Sequence, residues 1–427
     1  MKNVMVFPCG SEIGLEIRRS VKFSTYFHLI GASSVHDHGE YAYDDYIGDV
    51  PQIHDENFLP ALKEIICERN IDAIYPAMDS VIAVLKKNEE YLGCKVITSC
   101  QETTAICLSK RKTYEKLKDI VRVPVVYTKE NIREYPVFAK PTIGYGARGT
   151  KKIDSYVEVE SFLREKDEEY LLLEYLSGQE YTIDCFTDRH GELHFASARC
   201  RNRIRNGISV NTSYEDDQKR FFAFASKIND AIAFRGAWFV QVKETSSGEL
   251  CLLEIAARFG GSSGVARAIG VNFALLSIFD AFDYDVRILL NDCKVVMDRA
   301  LNCRYRCDLV YDIVFIDYDD CIKLGDNKVN ALLVSFLFQC RNSNIKVVLL
   351  SRHDGDLYEN LKSLRLLDIF DEVIHITKDE KKSDYICGEK AIFIDDSYAE
   401  RCDVKDNCGI PVFAPDDVDV LLKVNFT

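Results

Sequence analysis

Ala237-Trp238-Phe239-Val240-Gln241-Val242-Lys243-Glu244, then the turn Ser246-Ser247-Gly248, then Glu249-Leu250-Cys251-Leu252-Leu253-Glu254-Ile255-Ala256: this stretch decides the reading of the middle of the chain. Two apolar runs joined by a Ser/Gly turn read as antiparallel neighbours. Such a pair can set Gln241 and Glu254 side by side on one face. Working outward, a helix is expected over 217–233, strands over 179–187 and 193–198 around the turn Asp188–Glu192, and a strong strand over 170–176. Before them come a strand over 135–141, a glycine loop, a return strand Thr150–Ile153 and an acidic helix over 156–167. This is an α+β pattern with antiparallel sheet.

The two ends of the chain read differently. Residues 3–8 are an apolar run followed by Cys9-Gly10-Ser11-Glu12-Ile13-Gly14 and a helical pattern to Val21. A helix over 58–69 leads to the strand 71–77, which ends at Met78-Asp79, and 95–98 supplies another strand. Strand, glycine turn and helix in that order open a Rossmann-like lobe. From Tyr311 four buried-type strands alternate with helical stretches, which argues for a parallel sheet. The expected organisation is a Rossmann-like lobe over 1–105, an antiparallel-sheet part over 106–306, and a parallel-sheet α/β domain over 307–427.

With 427 residues, 47% apolar and 29% charged, the chain is long enough for two or three domains with sizeable cores. Its net charge of −14 disfavours a nucleic-acid-coating protein. Residues 307–427 hold 14 Lys and Arg against 24 Asp and Glu, so the acidity is concentrated at that end. The 16 cysteines form no C-x-x-C pair, and Cys303-x-x-x-Cys307 has no His partner, so reduced, mostly buried thiols are expected. The longest apolar stretch, Ala331 to Phe338, is far short of the ~18 residues that span a bilayer. A cytoplasmic protein is expected, with no membrane or nucleic-acid partner; a homo-oligomer is left open.

In the C-terminal part, two strands end in carboxylates: Asp317-Tyr318-Asp319-Asp320 and Asp395-Asp396. Strand ends of an open parallel sheet share a crevice, and clustered carboxylates there repel unless a cation such as Mg²⁺ sits among them. A third strand ends at Ser351, and Lys382 precedes the fourth. This four-part arrangement resembles the haloacid-dehalogenase (HAD) superfamily of phosphohydrolases. The resemblance implies Asp317 as a nucleophile forming an aspartyl-phosphate, and Asp319 as acid/base. Ser351 and Lys382 would hold the phosphoryl group, with Lys381 the fallback, while Asp317, Asp319, Asp395 and Asp396 would surround Mg²⁺. Cys321 stands where the family's D-x-D-x-T usually has a hydroxyl. The gaps 322–350 and 352–381 are too short for a cap domain, so a capless HAD-like domain open to large substrates is expected.

Three motifs in the middle are false leads. Gly144-x-Gly146-x-x-Gly149 fits the dinucleotide fingerprint, but a strand follows it where a helix is needed. Gly260-Gly261-Ser262-Ser263-Gly264 fits G-x-S-x-G without the partners of an esterase. His190 and His194 have metal spacing but straddle a hairpin turn, and no zinc site is expected. No G-x-x-x-x-G-K-[ST] is present, which excludes a P-loop.

What remains is an ordered set: Ser109-Lys110-x-x-Thr113; Phe138-Ala139-Lys140-Pro141 with its glycine loop; Glu174-Tyr175-Leu176-Ser177-Gly178-Gln179-Glu180; and Gln241 with Glu254-Ile255-Ala256-Ala257-Arg258. Lysines can neutralise triphosphate charge, and Gln and Glu oxygens suit Mg²⁺. This order resembles the ATP-grasp superfamily, in particular half of a carbamoyl-phosphate synthase large subunit, over about residues 1–305. The resemblance implies a Rossmann-like pre-ATP-grasp lobe followed by ATP-grasp lobes. It implies Lys110 and Lys140 on ATP phosphates, with Gly144 and Gly146 in the loop above them. Glu174 and the Leu176 backbone would read adenine, Glu180 the ribose. Gln241 and Glu254 would hold Mg²⁺, and Arg258 would stabilise the transferring phosphoryl group. Arg199, Arg201 and Arg203 are expected to face the same anionic centre. Ala256 departs from the family's E-x-N-P-R and removes one oxygen ligand.

Together the resemblances imply a bifunctional enzyme with ATP and Mg²⁺ as cofactors. One part would be a ligase joining a small carboxylate to an amine through an acyl phosphate. The other would be a Mg²⁺-dependent phosphatase acting on a phosphoester. Two rivals stand beside it: a phosphatase with a regulatory, non-catalytic ATP-binding module, and a non-enzymatic scaffold.

Overall fold

The computed structural model describes residues 1–144, 148–166, 169–205, 207–300, 305, 307–325 and 328–422. The chain divides into two compact units, Met1–Leu301 and Asn302–Thr427.

The first unit opens with a five-stranded parallel sheet in the order Tyr46–Ile47, Phe27–Ala32, Lys2–Phe7, Ala73–Pro76, Lys95–Val96. Its central strand is buried from Val4 to Phe7, as a parallel strand covered on both faces must be. The helix Glu12–Val21 follows at once, capped by Ser11, whose side chain accepts from the Gly14 amide. Gly14 is required there: a Cβ would lie 2.4 Å from the Cys9 carbonyl oxygen.

Two antiparallel sheets complete the unit. A four-stranded one has the order Val126–Tyr127, Tyr170–Glu174, Val137–Pro141, Lys151–Ile153. A six-stranded one runs Leu250–Ala256, Gly236–Glu244, Glu180–Thr187, Leu193–Arg205, Ile208–Tyr214, Val296–Asp298. The helix Lys219–Ala231 packs Phe221, Ala225 and Ile228 against this sheet's core. A shared core joins the parallel sheet to the six-stranded one, running from Val4, Ile17 and Tyr75 to Phe186, Phe259 and Phe273.

Register in the six-stranded sheet fixes one row of side chains. Glu254 pairs with Gln241, Gln241 with Thr182, and Thr182 with Arg199. The strand Leu193–Arg205 runs seven residues beyond its expected end at 198, and its register shifts between Arg201 and Arg203 and again before Ile204. Such a bulge changes which face the following side chains occupy.

The second unit is a five-stranded parallel sheet in the order Glu372–His375, Lys346–Ser351, Ile313–Ile316, Ala391–Ile394, Val412–Phe413. The chain moves from its central strand to one edge, then crosses back and builds the other side. The direction therefore reverses between Ile313–Ile316 and Ala391–Ile394, and the crevice at such a reversal is where open parallel sheets bind ligands. A hairpin, Lys323–Leu324 with Lys328–Val329, and the helix Ala331–Asn342 lie between the first two strands in sequence.

The cysteines differ in part from the expectation. Cys9, Cys94, Cys185, Cys251, Cys321 and Cys340 are buried, but Cys67, Cys100, Cys293, Cys307 and Cys387 are exposed; all those described are free thiols. Cys303 lies outside the described residues. Among the described residues, no helix is long and apolar enough to cross a membrane.

Trp238, the chain's one tryptophan, is fully buried in the first unit, stacks on Phe234 and donates from Nε1 to Thr187 Oγ1 at 2.9 Å. Thr187 in turn donates to Asn229 Oδ1 at 2.7 Å. Thr187→Val strands the buried indole donor and is expected to cost about 1–3 kcal/mol. A lower urea midpoint of tryptophan fluorescence would show it; an unchanged midpoint would contradict it.

Candidate active sites

A cavity of about 950 Å³ in the first unit is lined by both antiparallel sheets and by residues 11–13 and 77–80, which follow two strands of the parallel one. One end is apolar, with Phe138, Tyr175, Leu176 and Leu253; the other collects Asp79, Arg199, Arg258 and the loop Gly260–Ser262. The row Glu254, Gln241, Thr182 and Arg199 faces it along one side of the six-stranded sheet.

Lys140 enters from the strand Val137–Pro141. Burial pulls its ammonium below the ordinary lysine value; Glu254 opposes that, and Lys110 adds to it. Lys110, at the start of the helix Lys110–Leu117 behind its Ser109 cap, donates to the Gly144 carbonyl at 3.0 Å and stands 3.9 Å from Glu254. An anion between the two lysines would relieve their repulsion, so the donor set fits a nucleotide's phosphates, and Gln241 beside Glu254 offers oxygens for Mg²⁺. Gly146 lies outside the described residues.

Other side chains already have protein partners, and one of them, Arg203, departs from expectation. The Glu174 carboxylate accepts from Arg122 at 2.5 Å and from the Val125 amide at 3.1 Å. Glu180 is ion-paired with Arg201. Arg258 is held by Asp79 through two bonds, Nε to Oδ1 at 2.8 Å and Nη2 to Oδ2 at 2.6 Å. Arg199 and Arg201 face the cavity, but Arg203 does not. The bulge turns Arg203 out to Asp298 at 2.6 Å, on the surface, and brings Ile204 to the cavity wall instead. Ala256 is buried opposite Phe239 and supplies no oxygen. Sequence reading did not single out Asp79 as the partner of Arg258. Its visible trace was a carboxylate at the end of a buried strand.

Two of the motifs set aside have their polar side chains committed to local partners. Ser262 donates to the Ser209 carbonyl at 2.7 Å, and His194 bonds Asp188 at 2.8 Å within the hairpin that Asp188 caps. Glu192 lies near enough to Asp188 and His194 for the three to share an ion, but Asp188 is already committed to two turn amides.

In the second unit, the ends of the two strands that flank the reversal come together. Lys382, from the short helical turn Lys382–Asp384, puts Nζ 2.7 Å from Asp317 and 2.6 Å from Asp395. All three are buried, as is Ser351, which hydrogen-bonds Asp317. Burial raises the Asp317 carboxyl above its ordinary value against the pull of Lys382. Burial and the Asp317 charge push Asp395 up to about 6. Lys382 has burial against it, yet the two carboxylates hold its pKa above the usual range. Carboxylate oxygens of Asp317, Asp395 and Asp396 lie within 4.8 Å of one another. One ammonium against three carboxylates leaves negative charge over, and an all-oxygen set of this kind fits Mg²⁺.

Asp319 is half-exposed and receives a hydrogen bond of 2.7 Å with His353 Nδ1, a partner that the sequence reading did not name. Lys381 is exposed and pairs with Asp403 at 3.4 Å, away from this cluster. Cys321 is fully buried, and burial with the nearby carboxylates drives its thiol pKa well up, so it stays a neutral packing group.

Lys382→Met leaves two buried carboxylates facing each other and is expected to cost about 3–5 kcal/mol of stability. Lys381→Met, one residue earlier on the surface, is expected to cost under about 1 kcal/mol. Thermal unfolding of both variants checks this; equal losses would contradict it.

Residues 166–294 match the family model described as ATP-grasp in the biosynthetic pathway with Ter operon. None of the curated proteins matches the chain. Among solved structures, N5-carboxyaminoimidazole synthetase from Staphylococcus aureus is similar at 18% identity and a TM-score of 0.59, over 70% of this chain and 82% of that one. Biotin carboxylase from Campylobacter jejuni is similar at 18% and 0.58, over 68% and 74%. L-amino acid ligase from Bacillus licheniformis is similar at 18% and 0.55, over 66% and 74%. The chain carries the ATP-grasp fold, and its segment 166–294 matches an ATP-grasp family.

Proposed function

We propose that the first unit joins a carboxylate to an amine at the expense of ATP, and that the second hydrolyses a phosphoester. The observation that carries the ligase reading is the convergence of Lys140, the Gln241–Glu254 pair and Arg258 on one cavity large enough for a nucleotide and a second substrate. A carboxylate oxygen of the substrate attacks the γ-phosphorus and ADP departs. The amine then attacks the acyl carbon, loses a proton, and expels phosphate. Lys110 and Lys140 balance phosphate charge. Asp79 holds Arg258 at a fixed angle, so its remaining N–H groups meet the transferring group without reorganising.

In the second unit Asp317 attacks phosphorus while Asp319 gives a proton to the leaving oxygen; Asp319 then takes one from the water that cleaves the aspartyl-phosphate. Ser351 and Lys382 orient Asp317 and the phosphoryl oxygens. Mg²⁺ bound at either site would offset phosphate negative charge.

Ala256 favours one other reading. With that oxygen ligand missing, the first unit would bind ATP as a regulator of the phosphatase and form no ADP. Pooled amino acids, sugar acids and amines with Mg-ATP distinguish the two. Pool-dependent ADP is expected from wild type and Asp317→Asn, with at least a hundredfold loss in Lys140→Ala. Phosphatase activity is expected to vanish in Asp317→Asn alone. Phosphatase activity tuned by ATP with no ADP from any pool would favour the regulatory reading.

Asp79→Asn keeps the shape but removes the charge that fixes Arg258. A tenfold to hundredfold fall in kcat is expected, with ADP affinity within about twofold of wild type. A lost ADP affinity would place Asp79 in nucleotide binding instead.

A further inference from the structure

Arg199 is a guanidinium only 3% exposed, in the row that carries Gln241 and Glu254. Its Nε donates at 2.7 Å to Asp184, itself 1% exposed and also bonded by Tyr214 at 3.0 Å. That uses one edge of the side chain and fixes its plane. The two Nη groups have no hydrogen-bond acceptor among the described residues, although Arg199 lines the cavity. One of them reaches the surface of Gly260, where a Cβ would lie only 2.8 Å away. These donors open onto the cavity, where a ligand can supply the acceptor.

The position of this fork separates it from the reacting centre. Adjacent strands stand about 4.8 Å apart, so Arg199 is two strands, roughly 10 Å at the backbone, from Gln241 and three from Glu254. Arg258, by contrast, is tied to Asp79 and packs 5.4 Å over the Phe239 ring. Two guanidinium groups on separate carboxylate anchors are arranged for two anionic groups on one substrate, since each stays charged whether or not the other is filled.

We propose that the carboxylate substrate of the ligase site carries a second anionic group, a carboxylate or a phosphate, and that the free edge of Arg199 binds it. This rests on the ligase reading of the same cavity. Binding can be measured without turnover, by calorimetric titration of the Mg-ADP-saturated full-length protein. The probes are succinate and 3-phosphonopropionate as dianions, and butyrate as the monoanion of matched length. Arg199→Lys keeps the ion pair with Asp184 but has no second edge. Gly260→Ala leaves that ion pair intact and crowds the fork; Gly260 does not occupy the left-handed region, so alanine fits the backbone.

Wild type is expected to bind at least one dianion tenfold or more tighter than butyrate, and both variants to lose most of that preference while keeping ADP affinity. The stronger of the two dianions tells carboxylate from phosphate. Equal binding of dianions and butyrate, no binding of either dianion, or a preference that survives in both variants would overturn the proposal. Unchanged urea midpoints in tryptophan fluorescence verify that the variants fold. Absence of ADP formation from every pool would count against the ligase reading alone, because the titration does not need it.

Discussion

Hydrogen-bonded register along the strand Gly236–Glu244 governs the first unit. That strand is paired on both sides, and its alternation places Phe239, Gln241 and Lys243 toward the cavity while Trp238, Val240 and Val242 go into the core. Because a strand's side chains repeat every two residues, slipping by one would exchange these sets completely. The apolar cost of turning Trp238 and Val240 to water therefore guards the position of Gln241. The sheet's core holds the cavity's polar row in place without touching it.

The second unit rests on a different constraint, the pairing of buried charge. Asp317 and Asp395 come from neighbouring parallel strands, so their approach follows from topology, and Lys382 is the group that makes the approach tolerable. A buried triad of this kind is poor evidence for stability as such. Its effect is selective: it keeps two carboxylates and an ammonium at fixed separation in a place that water barely reaches.

Much of this was legible in the sequence, for identifiable reasons. Apolar runs ending in carboxylates marked the strands at 313–316 and 391–394, and the Ser/Gly turn at 246–248 set the pairing of Gln241 with Glu254. Asp79 and Arg258 are 179 positions apart, and no local pattern relates them. The arginines at 199, 201 and 203 look equivalent by their spacing, and nothing local marks the bulge after Arg201 that sets Arg203 apart. Glu174 kept its predicted strand but gave its carboxylate to Arg122, a partner fixed only when separate segments meet. Local periodicity is written residue by residue, whereas such pairings exist only in the assembled sheet.

That bulge has a wider consequence for how the cavity could diverge. Beyond Arg201 the wall is set by phase: Ile204 faces in and Arg203 faces out because of the irregular pairing in that short span. Loss of one residue there would re-phase the strand end, turning a cation inward and an aliphatic chain outward, while the paired strands below it stayed in step. A chain-length change of a single residue is thus enough to recast the polarity of one wall, leaving the row Glu254, Gln241, Thr182 and Arg199 as it was.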